Sequence, residues 1–229
     1  MKTSMILILG SLLATAAFAQ EKTPDKRLEH AANSLDAIQT SDKPIPPALL
    51  RKAQCVIIIP GLLKGAFLFG GKYGRGFASC RLPSGWSAPA AMVIEGGSFG
   101  SQLGGSATDV IMLVMNRAGM DHLLKDKFTL GADLAVVQGN GYDASANADV
   151  FMRAPMISWS RSKGLFVGLS LEGASLRPDK GENRKLYGRD IDNHEILAKK
   201  IVAPRGARPF VAALNKFAPR VVKVRVKAK

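Results

Sequence analysis

Residues Cys55–Leu82 read CVIIIPGLLKGAFLFGGKYGRGFASCRL. CVIII, GAFLFG and GFASCRL are short runs of β-branched, aromatic and small residues, each closed off by glycine, which is how strands and their turns look in sequence. The same texture continues through AAMVIE, DVIMLVM, TLGADLAVV, MISWSR and GLFVGLSLEG. Few of these runs are separated by a stretch long enough for a crossover helix, so antiparallel pairing is expected over a βαβ arrangement. Glycines inside strands permit bulges, bends and close backbone approach, so the sheet should curve strongly.

Helices are expected on either side of this block. Asp25–Ile38 carries Leu28, Ala31, Leu35 and Ile38 at three- and four-residue steps, and Pro44, Pro46 and Pro47 end it. A short helix over Ala48–Ala53 follows. Arg117–Lys125 interrupts the strands, Asn193–Ile201 and Pro209–Phe217 follow them, and Asp179–Arg189 reads as a polar connection. The expected class is α+β: a strongly curved, mainly antiparallel sheet, partial barrel or sandwich-like, with an N-terminal helix and C-terminal helices.

Met1–Ala19 has the form of a cleavable leader. Lys2 opens it, Met5–Ala17 is apolar or small, and Ala17-Phe18-Ala19 suits a signal peptidase. Spanning a bilayer takes about 20 apolar residues, more than this segment offers. The boundaries expected are a signal peptide at 1–19, one domain over 20–219 and a basic tail at 220–229, with a periplasmic or secreted location. The tail alternates apolar and basic residues and reads as an edge strand or as a disordered arm. In an oxidising compartment Cys55 and Cys80, in strand-like runs either side of one glycine-rich turn, are candidates for a disulfide; two buried thiols are the other reading.

Thirty-two Lys and Arg against 18 Asp and Glu give a formal charge of +14, and no acidic residue follows Glu195. Such a field attracts anionic surfaces. Export argues against nucleic acid, and aromatic residues are too sparse for a stacking groove. Gly96-Gly97-Ser98-Phe99-Gly100 matches the G-x-S-x-G elbow, with Asp133 and His194 downstream in hydrolase order, but SQLGG follows where the elbow needs a helix. Gly70-Gly71-Lys72-Tyr73 lacks the hydroxyl and spacing of a phosphate loop. Glycine turns still expose N–H groups to anions, so Lys72 and Arg75 are candidate headgroup contacts. His30, His122 and His194 show no metal-ligand spacing. Glu95, Glu172 and Asp109 beside glycines read as structural acceptors, and Trp86 and Trp159 as core or half-buried anchors. No catalytic residue, metal or cofactor is expected.

Several stations occur in one order: PALLRKAQCVIIIP, KGAFLFGGKYGRG, GWSAPAAMVIEGGSFGSQLGG, DVIMLVMN, LGADLAVV, ISWSRSKGLFVGLSLEG and NRKLYGRD. Together, from about Ala31 to Phe217, they resemble the SYLF family of Ysc84-like lipid-binding domains. The resemblance implies binding of phosphoinositides and other anionic lipids, an actin contact in some fungal members, and an amphipathic N-terminal helix used at membranes by part of the family. It assigns no catalytic role. The function expected is therefore non-enzymatic binding of anionic phospholipid or lipid A headgroups at a membrane surface, with no small-molecule substrate. The candidate contacts are Lys72, Arg75, Arg161, Lys163, Arg220, Lys223, Arg225 and Lys227. An envelope protein binding an acidic protein partner and a serine hydrolase using Ser98 are the alternatives.

Overall fold

In the computed structural model, residues 23–66, 70–98, 104–133, 136–138, 153–162, 165–166 and 171–219 are described. Ten strands among them form one curled sheet: β1 Cys55–Ala66, β2 Gly70–Leu82, β3 Gly85–Trp86, β4 Ala90–Ser98, β5 Gly104–Val114, β6 Phe128–Thr129, β7 Val136–Gln138, β8 Met156–Ser162, β9 Leu165–Phe166 and β10 Ser175–Pro178. The order is β6-β10-β4-β2-β1-β5-β8-β7, with β3 beside β2 and β9 beside β8. The ladders among these strands are antiparallel except for β7–β8. The helices are α1 Pro24–Gln39, α2 Pro47–Lys52, α3 Arg117–Leu123, α4 Lys180–Tyr187, α5 Asn193–Ala198 and α6 Arg208–Phe217. The chain is thus α+β with an N-terminal helix and C-terminal helices, as the sequence pattern implies.

Both faces of the central strands are buried, which is why CVIII reads as an unbroken apolar run. Cys55, Ile57 and Ile59 join one core with Met92, Ile94, Val110 and Met112, covered by Leu123 of α3 and Ile196 and Leu197 of α5. Val56 and Ile58 join the other with Phe77, Ile111 and Trp159, covered by Leu28, Leu35 and Ile38 of α1, Leu49 and Leu50 of α2, and Phe210 and Leu214 of α6. A strand covered on both sides loses the hydrophobic-polar alternation of a half-exposed one.

The long strand β1 absorbs both CVIII and the start of GAFLFG. Pro60 has no N–H to give the ladder, and Gly61 takes φ +58°, so the register shifts against both neighbours between Ile58 and Leu63. The Asp109 carboxylate accepts the Gly61 N–H at 2.8 Å. A second departure from the sequence reading lies in TLGADLAVV, which is two strands rather than one. Gly131 at φ +88° turns the chain, and Asp133 accepts the Thr129 N–H at 2.6 Å.

The segment Asp179–Arg189, expected to be a polar connection, holds helix α4. Asp179 caps it, accepting the Glu182 N–H at 3.0 Å, and Gly188 closes it in the left-handed conformation at φ 68°. The buried side of α4 is polar. Asn183 accepts the Ala91 N–H at 2.8 Å and donates to Asn193 of α5, which in turn donates to the Ala91 carbonyl. These amides dock two helices on β4 by satisfying strand groups that would otherwise lie buried without partners.

Candidate functional site: a charge-floored cleft and a cationic perimeter

A cleft of about 580 Å³ lies between α1 and the sheet, with Pro60 and Gly61 of the bulge among its lining. From α1 come Arg27, His30, Asn33 and Ser34; from the sheet come Leu63, Tyr73, Arg75 and Asp109. Leu63 and Tyr73 are 58% and 47% exposed, two of the three large apolar side chains that stand out among the described residues. Two of the lining residues, Arg27 and Arg75, have guanidinium groups bridged by Glu182. Its Oε1 accepts from Arg27 Nη1, and its Oε2 accepts from Arg75 Nη2 at 3.0 Å. Asp179 Oδ2 accepts from Arg75 Nε at 2.7 Å. Asp179 therefore caps α4 with one oxygen and clamps Arg75 with the other. Both cationic lining residues are thus paired with carboxylates of α4 and its cap, and Asp109 adds a carboxylate to the lining itself.

This arrangement changes the part expected of Arg75. It was a candidate headgroup contact at a glycine turn, but it lies inside β2, with its guanidinium bound internally by Asp179 and Glu182. The glycines around it serve close packing, not a turn: a Cβ on Gly76 would sit 1.9 Å from the Ile58 carbonyl oxygen, and one on Gly74 would meet Ile59 at 2.6 Å.

Lys72 is likewise in β2, opposite Lys64, and buried. Burial first, and then the Lys64 charge, pull its ammonium below the usual lysine range, while Glu172 pulls the other way. Arg161 stands opposite Asp109 across β5–β8, half-buried, with Nε lacking an acceptor among the described residues. Lys163, Arg220, Lys223, Arg225 and Lys227 lie outside the described residues. Lys72 and Arg75 thus stand on β2 and Arg161 on β8, two strands separated in the sheet by β1 and β5.

Ser98 ends β4, and the residues directly after it, where the hydrolase elbow would need a helix, lie outside the described residues. Glu95 is bidentate to Arg177 at 2.8 and 3.0 Å, and that hydrogen bond holds its carboxyl below the ordinary carboxylate range. Trp159 is core and Trp86 half-buried, its Nε1 donating to the Ala218 carbonyl at 3.1 Å. His122 packs edge-on against Phe128. No group of acidic, histidine or cysteine side chains suited to a metal ion occurs among the described residues. Cys55 and Cys80 are directly paired in β1–β2 and joined by a disulfide.

A group that motif reading passed over stands on the perimeter. Lys199, Lys200, Arg205 and Arg208 are exposed, and none forms an ion pair among the described residues. Between them Val202 is 90% exposed. Their signal in the sequence is the run of basic residues without an acidic one after Glu195. No helix among the described residues is long and apolar enough to cross a membrane.

Comparison with known proteins adds a family. The profile described as "Ysc84: Las17-binding protein actin regulator" matches residues 95–217. An SH3 domain-containing protein of Schizosaccharomyces pombe is 36% identical over 176 residues, covering 75% of this chain and 41% of that protein. SH3 domain-containing YSC84-like protein 1 of Xenopus laevis is 34% identical over 180 residues, 77% of this chain and 53% of its own length. LAS seventeen-binding protein 3 of Saccharomyces cerevisiae is 33% identical over 180 residues, 76% and 39% respectively. The chain therefore spans about two fifths to one half of the curated relatives it matches.

Proposed function

The chain belongs to the Ysc84 family, and from that footing we propose that it is a non-enzymatic module that binds the anionic surface of a membrane. One observation carries this reading: Lys199, Lys200, Arg205 and Arg208 are exposed and form no ion pair among the described residues, in a segment without an acidic residue after Glu195. Each basic residue near an anionic leaflet contributes about 1 kcal/mol, so four supply about 4 kcal/mol, a roughly millimolar affinity. The tail residues Arg220, Lys223, Arg225 and Lys227, drawn to the same surface, would bring the sum near 8 kcal/mol and the affinity near micromolar. We take Met1–Ala19 as a leader, which places that membrane outside the cytosol and makes phospholipid or lipid A headgroups the anions available.

Co-sedimentation with vesicles tests the proposal. Pelleting should require phosphatidylglycerol, fail with phosphatidylcholine alone and fade as salt shortens the screening length. Equal pelleting with neutral vesicles at high salt would overturn the electrostatic mechanism. The relatives' names favour a second reading, a protein-docking module, since the family's description and the name of the Saccharomyces cerevisiae relative both refer to binding Las17. A cationic perimeter suits an acidic protein as well. In that case the protein would ignore vesicles and bind an acidic partner with the same salt dependence.

A further inference from the structure

The turn between α5 and α6 has a construction that charge attraction alone does not call for. Its two ends are pinned in opposite cores: Ile201 packs against the α3/α5 side, while Ala207 and Phe210 are fully buried on the α1 side. Two short backbone bonds shape what lies between, Ile201 N–H to the Lys199 carbonyl at 3.1 Å and Ala207 N–H to the Pro204 carbonyl at 2.9 Å. Gly206 lies so close to the first turn of α1 that an added Cβ would fall 1.9 Å from Asp25 Oδ1. The turn is thus held on three sides, and between its exposed cations it shows apolar residues to solvent. Val202 is the most exposed large apolar residue described, and Ala203 beside it is exposed too. A single exposed valine is ordinary on a protein surface. This one is fixed at the tip of a turn flanked by Lys199, Lys200, Arg205 and Arg208, with Asp25 as the acidic side chain lying against it. Leu63 and Tyr73, the other two exposed apolar residues, line the cleft instead.

We infer that residues 199–208 form a membrane-docking tip, in which Val202 enters the headgroup–acyl boundary while the flanking lysines and arginines hold lipid phosphates. The inference rests on the reading of the protein as a membrane-surface module and adds to it the face and the mode of contact. Basic side chains at the rim and an apolar tip between them match the layering of a bilayer interface, anionic outside and apolar within. An acidic protein surface offers the charge without the apolar layer. Because the tip is preformed, little ordering entropy is lost on docking.

The test uses the full chain. The chain has two cysteines, both in the disulfide, so Val202→Cys adds one accessible thiol for an environment-sensitive nitrobenzoxadiazole label; Arg117→Cys on α3, where the side chain is 92% exposed, is the control. With vesicles of phosphatidylcholine and phosphatidylglycerol, the label at 202 should shift to the blue and be quenched by nitroxides on acyl chains, and the label at 117 should do neither. Val202→Asp should weaken pelleting about tenfold with its circular dichroism unchanged. If the unlabelled protein pellets but the label at 202 stays in water and Val202→Asp binds normally, the docking tip is wrong and the membrane reading stands. If the wild-type protein ignores both vesicle types, the reading and the tip fall together.

Discussion

Replacing Glu182 with methionine should destabilise the protein by more than any change at an exposed ion pair, and a second substitution should restore part of the loss. The Arg27 and Glu182 side chains are 10% and 3% exposed, whereas Arg75, which shares Glu182, is 21% exposed and keeps Asp179. Glu182→Met therefore takes a carboxylate from both guanidinium groups, and Arg27, the more deeply buried, loses more by it. Breaking a buried pair from one side costs about 3–5 kcal/mol, because the remaining buried charge has lost its counter-charge. For a domain near 200 residues each kcal/mol moves the melting temperature about 2–4 °C, so a fall of roughly 6–20 °C is expected. Adding Arg27→Met removes that buried charge as well and leaves two methionines between α1 and α4, and an apolar replacement of a buried pair is often tolerated. Urea titration of the wild type, both single variants and the double variant, followed by circular dichroism, gives the coupling directly. A double variant less stable than Glu182→Met alone would show that the desolvated charge is not what makes the single change costly.

Three further outcomes follow from single contacts. Arg81 donates to the carbonyls of Leu50, Ala53 and Ala218 at 2.9–3.1 Å and stacks on Trp86, tying down the C-terminal ends of α2 and α6. Arg81→Met should cost about 3 kcal/mol and make limited proteolysis near Ala218 faster. Removing the Cys55–Cys80 bond, which closes a loop of sequence separation 25, should lower stability by about 3 kcal/mol in denaturant titration of the double alanine variant. Arg177 depresses the Glu95 carboxyl, so this pair stabilises the fold above the ordinary carboxylate value and stops doing so as pH falls through the lowered one. Glu95→Gln should flatten that part of the acid-unfolding profile, and only slightly, since both side chains are more than a third exposed and screened.

The apolar periodicity made α1 legible, since Leu28, Ala31, Leu35 and Ile38 are all fully buried. It also located the strand block and the class of the fold. It failed at α4, whose buried residues are Glu182 and Asn183, so no apolar stripe exists to detect; the surviving signals were a capping Asp179 and a closing Gly188. Pro60-Gly61 reads as a strand end because the same residues that stop a strand also build a bulge within one. Arg75 looked available because its local context is glycine. Its acceptors Asp179 and Glu182 lie 104 and 107 residues away, a separation at which pairing leaves no trace in a single sequence.

That long-range pairing also shows where the charge excess acts. Acidic side chains are consumed one by one against specific cations: Asp179 and Glu182 on Arg75 and Arg27, Glu95 on Arg177, Asp190 on Arg184, Glu195 on Arg189 and Asp36 on Lys216. Each such pair is nearly silent at a distance. Helices cover much of both faces of the sheet, and among the described residues the large apolar side chains that the central strands still expose, Leu63 and Tyr73, line the cleft. What projects a field is the remainder, and among the described residues the stretch from Lys199 to Arg208 holds four exposed cations with no ion pair. Because the screening length is about 10 Å at 0.1 M salt, cations distributed around the whole molecule would not act together on one surface, whereas four within ten residues do. Charge reversal at Lys199 and Lys200 should therefore weaken vesicle binding far more than reversal at Lys125 and Lys127 beyond α3, although both changes alter the net charge equally. Equal effects would mean that total charge, and not its placement on the α5–α6 turn, governs association.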